Sequence, residues 1–445
     1  MINYNELKLL RAALGKLEEG FADLPDFTPA FDEIALATVL DEVATRMRDN
    51  FPYYHPQYAG QMLKPPHPIA RIAYALSLWI NPNNHALDGG RASSAMEKEC
   101  IAQIGAMFGW QAPLGHLTGG GTMANLEALW VAGRLHPGKR IIASSQAHYT
   151  HHRISDVLGL RFSAVDVDSN GRMRLTDIER ELAKGDVGTV VVTMGNTGLG
   201  AVDPLADILK LKERFDFRVH ADAAYGGYFT LSDDLDTHAR QAFDSLMHVD
   251  SIVIDPHKHG LQPYGCGCIL YKDPSVGTLY RHDSPYTYFS SAELHLGEIS
   301  LECSRPGASA VALWATQKLM PLVKDGDFAA SLGCSLRAAR ELHHRLENSP
   351  PFVPLMPPEL DIVVYAVNAE DTTTSSTAAR RLFARAAENG LHLAMIELPT
   401  ELVGRYLGNI EINSKTLTCL RSALMKPEHE DWCERIVGLL EKSLA

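Results

Sequence analysis

Short apolar runs that alternate with helix-length segments are the feature that most constrains the fold of this chain. They are RIIAS at 140–144, TVVVT at 189–193, RVHAD at 218–222, SIVID at 251–255 and GCILY at 267–271. Runs spaced in this way are typical of βα units, whose largely parallel sheet is covered by helices on both faces. The gap between the last two runs is short, and Gly265 and Gly267 lie nearby, so we expect one strand to be antiparallel. The predicted fold class is α/β.

Changes of pattern divide the 445 residues into three regions. Residues 1–80 combine helical apolar spacing with FPYYHPQYAGQMLKPPHP, which is too irregular for regular structure. Residues 81–325 contain the alternating runs and form the predicted large domain. Residues 326–445 form a predicted small α/β domain that includes the proline-rich stretch NSPPFVPLMPPE. Its strands are expected in DIVVYAV and TLTCLRSAL, and its last helix in EHEDWCERIVGLLEKSLA.

Composition excludes several classes of function. The net charge is −13 and no block of Lys and Arg stands out, which disfavours a nucleic-acid or anionic-membrane surface. No apolar run approaches the roughly 18 residues that a membrane span needs. The seven cysteines include no CxxC pair, which indicates reduced thiols in the cytoplasm and counts against zinc or another metal.

Ligands of open α/β sheets bind beyond the carboxyl ends of the strands, so the segments that follow the runs are candidate sites. The segment LTGGGTMANLEALW, at 117–130, places three glycines and a threonine before a helix. Glycines let backbone N–H groups approach an anion, and a helix N-terminus attracts one. The segment matches neither GxGxxG nor the nucleoside-triphosphate loop. A phosphate cradle and a flexible turn are equally good interpretations of it.

Three further polar side chains follow later runs. His148 lies in SSQAHYTHH, where no carboxylate or cysteine stands at metal-ligand spacing, so a hydrogen-bonded histidine is favoured. Asp222 ends its run in HADAAYGG, and a buried carboxylate needs a partner, although a helix cap is the alternative. Lys258 follows the apolar run of SIVIDPHKHG, where an ammonium is costly to bury.

One cofactor accounts for these groups together. Pyridoxal 5′-phosphate needs a lysine amine, an acidic partner for its pyridine nitrogen, an anion site and a side chain that packs on its ring. Lys258, Asp222, the glycine turn with Thr122, and His148 supply the four in chain segments that follow separate runs. The residues therefore predict a pyridoxal-phosphate enzyme.

The same segments carry a resemblance to a known family. LTGGGTMANL, SSQAH, HADAAYGG, DPHKHG and LECSRPGASAVALWA are similar to the motifs of the group II pyridoxal-phosphate-dependent amino acid decarboxylases, which include the aromatic amino acid, tyrosine and glutamate enzymes. The resemblance implies an aspartate-aminotransferase-type (type I) fold with a seven-stranded, mainly parallel sheet. It also implies a homodimer with the active site at the subunit interface, and an N-terminal segment on the substrate side.

The resemblance implies roles for individual residues. The cofactor contacts are Gly121 and Thr122 at the phosphate turn, His257 beside the phosphate, His148 and Ala224 on the two ring faces, Asp222 at the pyridine nitrogen, Thr197, and Lys258 as the Schiff-base lysine. Tyr286 in SPYTYFSS falls where a loop supplies the tyrosine that returns a proton to Cα, which completes a catalytic set with Lys258, His148 and Asp222. His67 and Arg421 are the candidate substrate contacts.

The expected reaction is decarboxylation of an L-amino acid. An aromatic substrate such as tyrosine is favoured, because the segments around Tyr58 and Tyr264 are rich in rings with hydrogen-bonding tips. The alternatives are an acidic substrate held by Arg421 and Lys64, an aldolase-type carbon–carbon lyase with the same cofactor, and a catalytically silent scaffold. His259, where many relatives have tryptophan or methionine, and Met123, where glutamate is common, leave the substrate open.

Overall fold

The computed structural model describes residues 3–25, 27, 29–280 and 299–444. The α-helices of this part of the chain are α1 (Asn5–Glu19), α2 (Glu33–Met47), α3 (Pro68–Ser77), α4 (Arg91–Met107), α5 (Gly121–Leu135), α6 (Thr150–Val157), α7 (Leu175–Leu182), α8 (Leu205–Lys210), α9 (Thr237–Asp244), α10 (Gly307–Leu319), α11 (Asp327–Glu347), α12 (Thr372–Glu388), α13 (Thr400–Val403) and α14 (Cys433–Leu444). The strands are β1 (Leu114–Thr118), β2 (Arg140–Ser144), β3 (Phe162–Val165), β4 (Val187–Thr193), β5 (Arg218–Asp222), β6 (Ser251–Ile254), β7 (Gly267–Tyr271), β8 (Phe352–Pro354), β9 (Ile362–Val367), β10 (Ala394–Pro399) and β11 (Thr416–Ala423).

Seven strands form the large sheet, in the order β1-β7-β6-β5-β4-β2-β3. The pairs from β6 to β3 are parallel, and β7 is antiparallel to both β1 and β6. The α/β class, the parallel sheet and its antiparallel strand are thus confirmed. All seven residues of β4 are buried, as expected for a strand rich in valine that is covered on both faces.

The small sheet is antiparallel, with the order β10-β11-β9-β8. One face packs with α11, α12 and α14 around Leu342, Leu382 and Leu440. The strands expected in DIVVYAV and TLTCLRSAL are β9 and β11. The last helix begins later than the sequence suggests, because Pro427–Trp432 forms a 3-10 turn before α14 starts at Cys433.

The parallel register brings the carboxyl ends of the central strands together. Asp222, the last residue of β5, is paired with Thr193 at the end of β4 and with Val253 in β6. The segments after β2, β4, β5 and β6 therefore leave the sheet at the same edge, where ligands of α/β proteins bind.

Helices α1 and α2 bury none of their residues and so add nothing to the described core. Helix α1 contacts α3, where Arg71 forms an ion pair of 2.8 Å with Glu6. Helix α2 buries none of its residues against the described part of the chain. Within the described ranges, no helix is long and apolar enough to cross a membrane.

Candidate active site

A cavity of about 570 Å³ opens at the carboxyl edge of the large sheet. Eight residues proposed from the sequence line it, and they come from segments that lie far apart in the chain. They are Gly121, Thr122, His148, Thr197, Asp222, Ala224, His257 and Lys258. The fold thus brings the proposed cofactor residues together in one place.

The glycine-rich turn forms one wall of the cavity and leads into α5. Gly120 has a φ of 151°, a backbone conformation that favours glycine. A Cβ atom on Gly121 would lie 2.6 Å from Oδ2 of Asp255, so no larger residue fits without displacing that carboxylate. The turn therefore leaves open space at a helix N-terminus, where an anion is favoured.

Lys258 is held by an ion pair. Its Nζ lies 3.0 Å from Oδ2 of Asp255, three residues earlier in the turn after β6. Nδ1 of His257 and Oδ1 of Asp255 are buried without a hydrogen-bond partner among the described residues. The Lys258 side chain retains 23% of its exposure and so can be reached from the cavity. A lysine can therefore follow the buried strand β6, because the neighbouring carboxylate of Asp255 compensates its charge.

Asp222 is buried and held from two sides. Its Oδ2 accepts a hydrogen bond of 2.7 Å from Nε2 of His151, and its Oδ1 accepts one of 3.1 Å from the backbone N–H of Ala224. Burial by itself would raise the pKa of Asp222, but the hydrogen bond from His151 and the charge of Lys258 outweigh it and hold the pKa well below its usual range. Asp222 is therefore an anion at neutral pH.

His148 stands over the same cavity. Its Nδ1 lies 2.7 Å from Oγ1 of Thr150, at the start of α6. Burial lowers the pKa of His148 below the usual value for histidine, so its ring is neutral at neutral pH. A neutral ring can stack on a flat ligand without adding a second positive charge beside Lys258.

Two other proposed residues, His67 and Arg421, do not line the cavity. His67 caps α3, where its Nδ1 accepts a hydrogen bond of 3.2 Å from the N–H of Ile69. Arg421 lies on β11 and is 4% exposed, and its Nε and Nη2 have no hydrogen-bond partner in the described part of the chain. Tyr286 lies outside the described residues.

Tyr225, His259 and Asp361 form a buried polar cluster. The Tyr225 hydroxyl donates a 2.6 Å hydrogen bond to Oδ1 of Asp361, and Nε2 of His259 lies 3.2 Å from Oδ2 of the same carboxylate. Tyr225 also lines the cavity. This cluster connects the segment after β6, which contains Lys258 and His259, to Asp361, the residue that precedes β9 in the small domain.

The residues that are present fit pyridoxal phosphate. Space beside the glycine turn would accept the phosphate, since Nδ1 of His257 is buried there without a hydrogen-bond partner among the residues that the structure describes. An ionised Asp222, a neutral His148 and an accessible Lys258 meet the remaining needs of the cofactor.

Comparison with known proteins decides the family. The model of the pyridoxal-dependent decarboxylase conserved domain matches residues 35–368, which is most of the chain. The chain belongs to this family. The protein is thus a pyridoxal-phosphate-dependent amino acid decarboxylase, as the sequence motifs indicated.

Two curated relatives of this decarboxylase are named for similar substrates. An L-tyrosine decarboxylase of Enterococcus faecium is 26% identical, over 80% of this chain and 76% of its own. A probable L-tyrosine/L-aspartate decarboxylase of Methanothermobacter thermautotrophicus is 32% identical, over 59% of this chain and 70% of its own.

Solved structures confirm the fold of the decarboxylase. Mouse CSAD in its apo form superposes with a TM-score of 0.79 at 21% identity, covering 96% of this chain and 91% of that one. Oryza sativa TDC with PLP and tryptamine gives a TM-score of 0.79 at 16% identity, covering 100% and 99%. The type I fold expected from the motifs is therefore confirmed.

Sequence reasoning missed several residues of the site. Asp255 stands three residues before Lys258 in DPHK, and this spacing could have identified it as the partner of the lysine. Glu302 lines the cavity and accepts a hydrogen bond of 3.1 Å from the N–H of Gly119. His151 has no local sequence signal of its role, because its contact with Asp222 joins residues 71 positions apart.

Proposed function

We propose that this decarboxylase converts L-tyrosine, or a closely similar aromatic amino acid, to its amine and CO2. The observation that carries the reaction is the cavity in which Lys258, ionised Asp222 and neutral His148 converge. The support for tyrosine is that the curated relatives are named for it. Tyr264 adds an aromatic ring beside the site, since its ring centre lies 4.8 Å from that of His257.

The cofactor would be held by the residues that line the cavity. Gly121 and Thr122 at the start of α5, with His257, would bind the phosphate. His148 and Ala224 would pack on the two faces of the ring, and Asp222 would pair with the ring nitrogen. Thr197, in the turn after β4, would add a polar contact.

When bound, the cofactor supplies an electron-accepting ring that stabilises the charge left on Cα as CO2 departs. Lys258 would provide the amine that anchors the cofactor and that the substrate amine would replace. Asp255, 3.0 Å from Nζ, holds the displaced lysine in place. Asp222 keeps a proton on the ring nitrogen, because its own pKa is held low.

Proton return to Cα is assigned to Tyr286 as general acid. The support is the resemblance of SPYTYFSS to the loop of the family that supplies this tyrosine. The assignment predicts that a Tyr286→Phe variant binds substrate normally and slows the protonation of Cα.

The substrate carboxylate is assigned to Arg421. It lies on the face of β11 that packs towards the large domain, alongside Cys419 and Ala423. A buried guanidinium with two nitrogens unpartnered among the described residues is costly unless an anion completes its hydrogen bonds. His67 is the second proposed substrate contact, although in this chain its Nδ1 serves the cap of α3.

An acidic substrate is the second candidate, and one observation favours it. The charge of the buried Asp361 acts on both Lys64 and Arg421, and burial lowers the pKa of Lys64 to about 8. Two cationic side chains that share the carboxylate of Asp361 would suit a substrate with a second carboxylate. The relative named for both tyrosine and aspartate agrees with this alternative.

The test is a substrate panel with two detectors. Protein loaded with pyridoxal phosphate is incubated with each amino acid, and both CO2 and the amine product are measured. We expect the highest kcat/KM for tyrosine. A higher value for aspartate or glutamate would reject the aromatic assignment, and release of an aldehyde without CO2 would identify an aldolase-type lyase.

We further propose that the protein is a cytoplasmic homodimer with the active site at the subunit interface. The free state of the seven cysteines supports the compartment. The exposed apolar side of α2 supports the dimer. We also propose domain boundaries at residues 80 and 325, and the start of α11 at Asp327 supports the second.

A further inference from the structure

His151 does not line the cavity, yet it contacts the carboxylate that faces it. Its ring is fully buried, and Nε2 lies 2.7 Å from Oδ2 of Asp222. A carboxylate only accepts hydrogen bonds, so Nε2 carries the proton and donates. With the Ala224 N–H on Oδ1, both oxygens of Asp222 are fixed by the protein itself.

The same short segment positions His148 and His151. The backbone N–H of His151 donates to the carbonyl oxygen of His148 at 3.1 Å, where the chain enters α6. This turn therefore fixes the positions of two rings. The His148 ring is proposed to stack on the cofactor, and the His151 ring contacts Asp222. A shift of either histidine would move the other.

The unpartnered nitrogen of His151 indicates its tautomer. Nδ1 is buried and has no hydrogen-bond partner in the described part of the chain. A protonated Nδ1 would be a buried donor without an acceptor, which is more costly than a bare lone pair. The proton on Nε2 is therefore the one that the Asp222 carboxylate engages, and Nδ1 needs no partner.

We propose that His151 is a positioning residue, which fixes the Asp222 carboxylate in the orientation that accepts a hydrogen bond from the protonated ring nitrogen of the cofactor. The inference rests on the assignment of Asp222 made above. It gives a role to a residue that is separate from the groups proposed to touch the cofactor.

Cofactor binding to the apoprotein tests this role without any turnover. Wild type and variants are titrated with pyridoxal 5′-phosphate and with 1-deazapyridoxal 5′-phosphate, in which C–H replaces the ring nitrogen. The variants are a matched pair, His151→Gln and His151→Asn. The amide nitrogen of glutamine can reach the position of Nε2, whereas that of the shorter asparagine cannot. His152→Asn is the control, since His152 is the exposed neighbour.

We expect His151→Asn to weaken pyridoxal phosphate binding by about tenfold or more, as loss of a buried hydrogen bond to a charged group would. Binding of the deaza analogue should change by less than about threefold, because it has no ring nitrogen for Asp222 to hold. His151→Gln should restore most of the affinity, and His152→Asn should match wild type.

Two results would overturn the inference. Equal losses of affinity for the two ligands in His151→Asn would show that His151 has a general structural effect. Unchanged affinity of this variant for pyridoxal phosphate would show that His151 has no effect on cofactor binding. Wild-type protein that binds neither ligand would instead reject the proposed cofactor site, and the role of His151 with it.

Discussion

Lys258 and Asp255 form the contact on which the chemistry depends most directly. Replacing Lys258 by alanine removes the only group proposed to anchor the cofactor covalently, so we expect kcat to fall at least about a thousandfold. The visible absorbance of the bound cofactor should change as well. Amine formation and the absorbance spectrum measure the two effects.

The control for this variant is Lys272→Ala. Lys272 is exposed and donates to the carbonyl oxygen of Met247, at the far end of β7. It should retain wild-type activity and spectrum. Substantial turnover by Lys258→Ala would contradict the assignment of the anchoring amine.

The sequence predicts a single site residue where a charged side chain stands at a position that is usually apolar. A lysine or an aspartate at the end of an apolar run needs an explanation, so Lys258 and Asp222 were found. His151 was not, because its meaning lies in a contact with Asp222 rather than in a local pattern. The placement of Arg421 away from the cavity wall was equally invisible, since it depends on how the two sheets pack.

The junction between the N-terminal segment and the small domain contains a titratable element. Nζ of Lys426 donates to the carbonyl oxygen of Tyr58 at 2.7 Å, and Nζ of Lys64 donates to that of Met425 at 3.1 Å. Burial lowers the pKa of Lys426 to about 7, whereas an unfolded chain binds this proton up to about pH 10.4. Between these values the unfolded state binds more protons, so stability rises with pH.

We therefore expect the free energy of unfolding to rise from about pH 7 to about pH 9, with Lys426 contributing up to about 1.4 kcal/mol per pH unit. Lys426→Met should flatten this rise. Lys442→Met, which removes an exposed lysine of α14, should leave it unchanged. Denaturant unfolding at several pH values measures the slope, and identical slopes for wild type and Lys426→Met would contradict the prediction.

At the level of elements, the start of α5 is the most tightly constrained part of the site. A Cβ on Gly121 would lie 2.6 Å from Oδ2 of Asp255 and would push that carboxylate away from Lys258. We expect Gly121→Ala to weaken cofactor binding by about tenfold or more. Gly438→Ala, in α14, is the control, because its Cβ would meet no atom of the described residues within 4 Å. Equal affinities in a cofactor titration would show that the turn is not a phosphate site.

The elements themselves were predictable to different degrees. The strands β2, β4, β5 and β7 coincide with apolar runs, because β-branched residues buried on both faces leave a clear signal. Strand β1, LGHLT, gives no such signal, since the His116 ring is paired inside the protein with Glu127 at 2.9 Å. A buried contact between a histidine and a glutamate thus gives a core strand a polar sequence.

At the scale of the whole molecule, the apolar side of α2 is left uncovered by the described residues of one chain. Ile34, Leu36, Val39, Leu40, Val43 and Met47 are all exposed, at 48% to 81%, and the spacing of most of them forms a stripe along one side of the helix. A contiguous apolar surface of this kind marks an interface in a soluble protein. A second copy of the chain, which would present the same stripe, is the occupant that the proposed homodimer requires.

Val43→Asp tests this interface directly, because it places a charge in the middle of the stripe. We expect wild type to have the mass of a dimer in light scattering coupled to size exclusion, and Val43→Asp to have that of a monomer at micromolar concentration. Burial of an unpaired carboxylate in an apolar interface costs enough to shift the association constant by about a hundredfold or more. Thr45→Asp, on the same helix but outside the stripe, should remain a dimer.

If the active site is completed across the interface, Val43→Asp should also lose turnover, and a higher concentration of the variant should restore it as dimers re-form. A wild-type monomer, or a Val43→Asp variant with unchanged mass, would contradict the dimer, whereas a fully active monomer would place the whole active site within one chain.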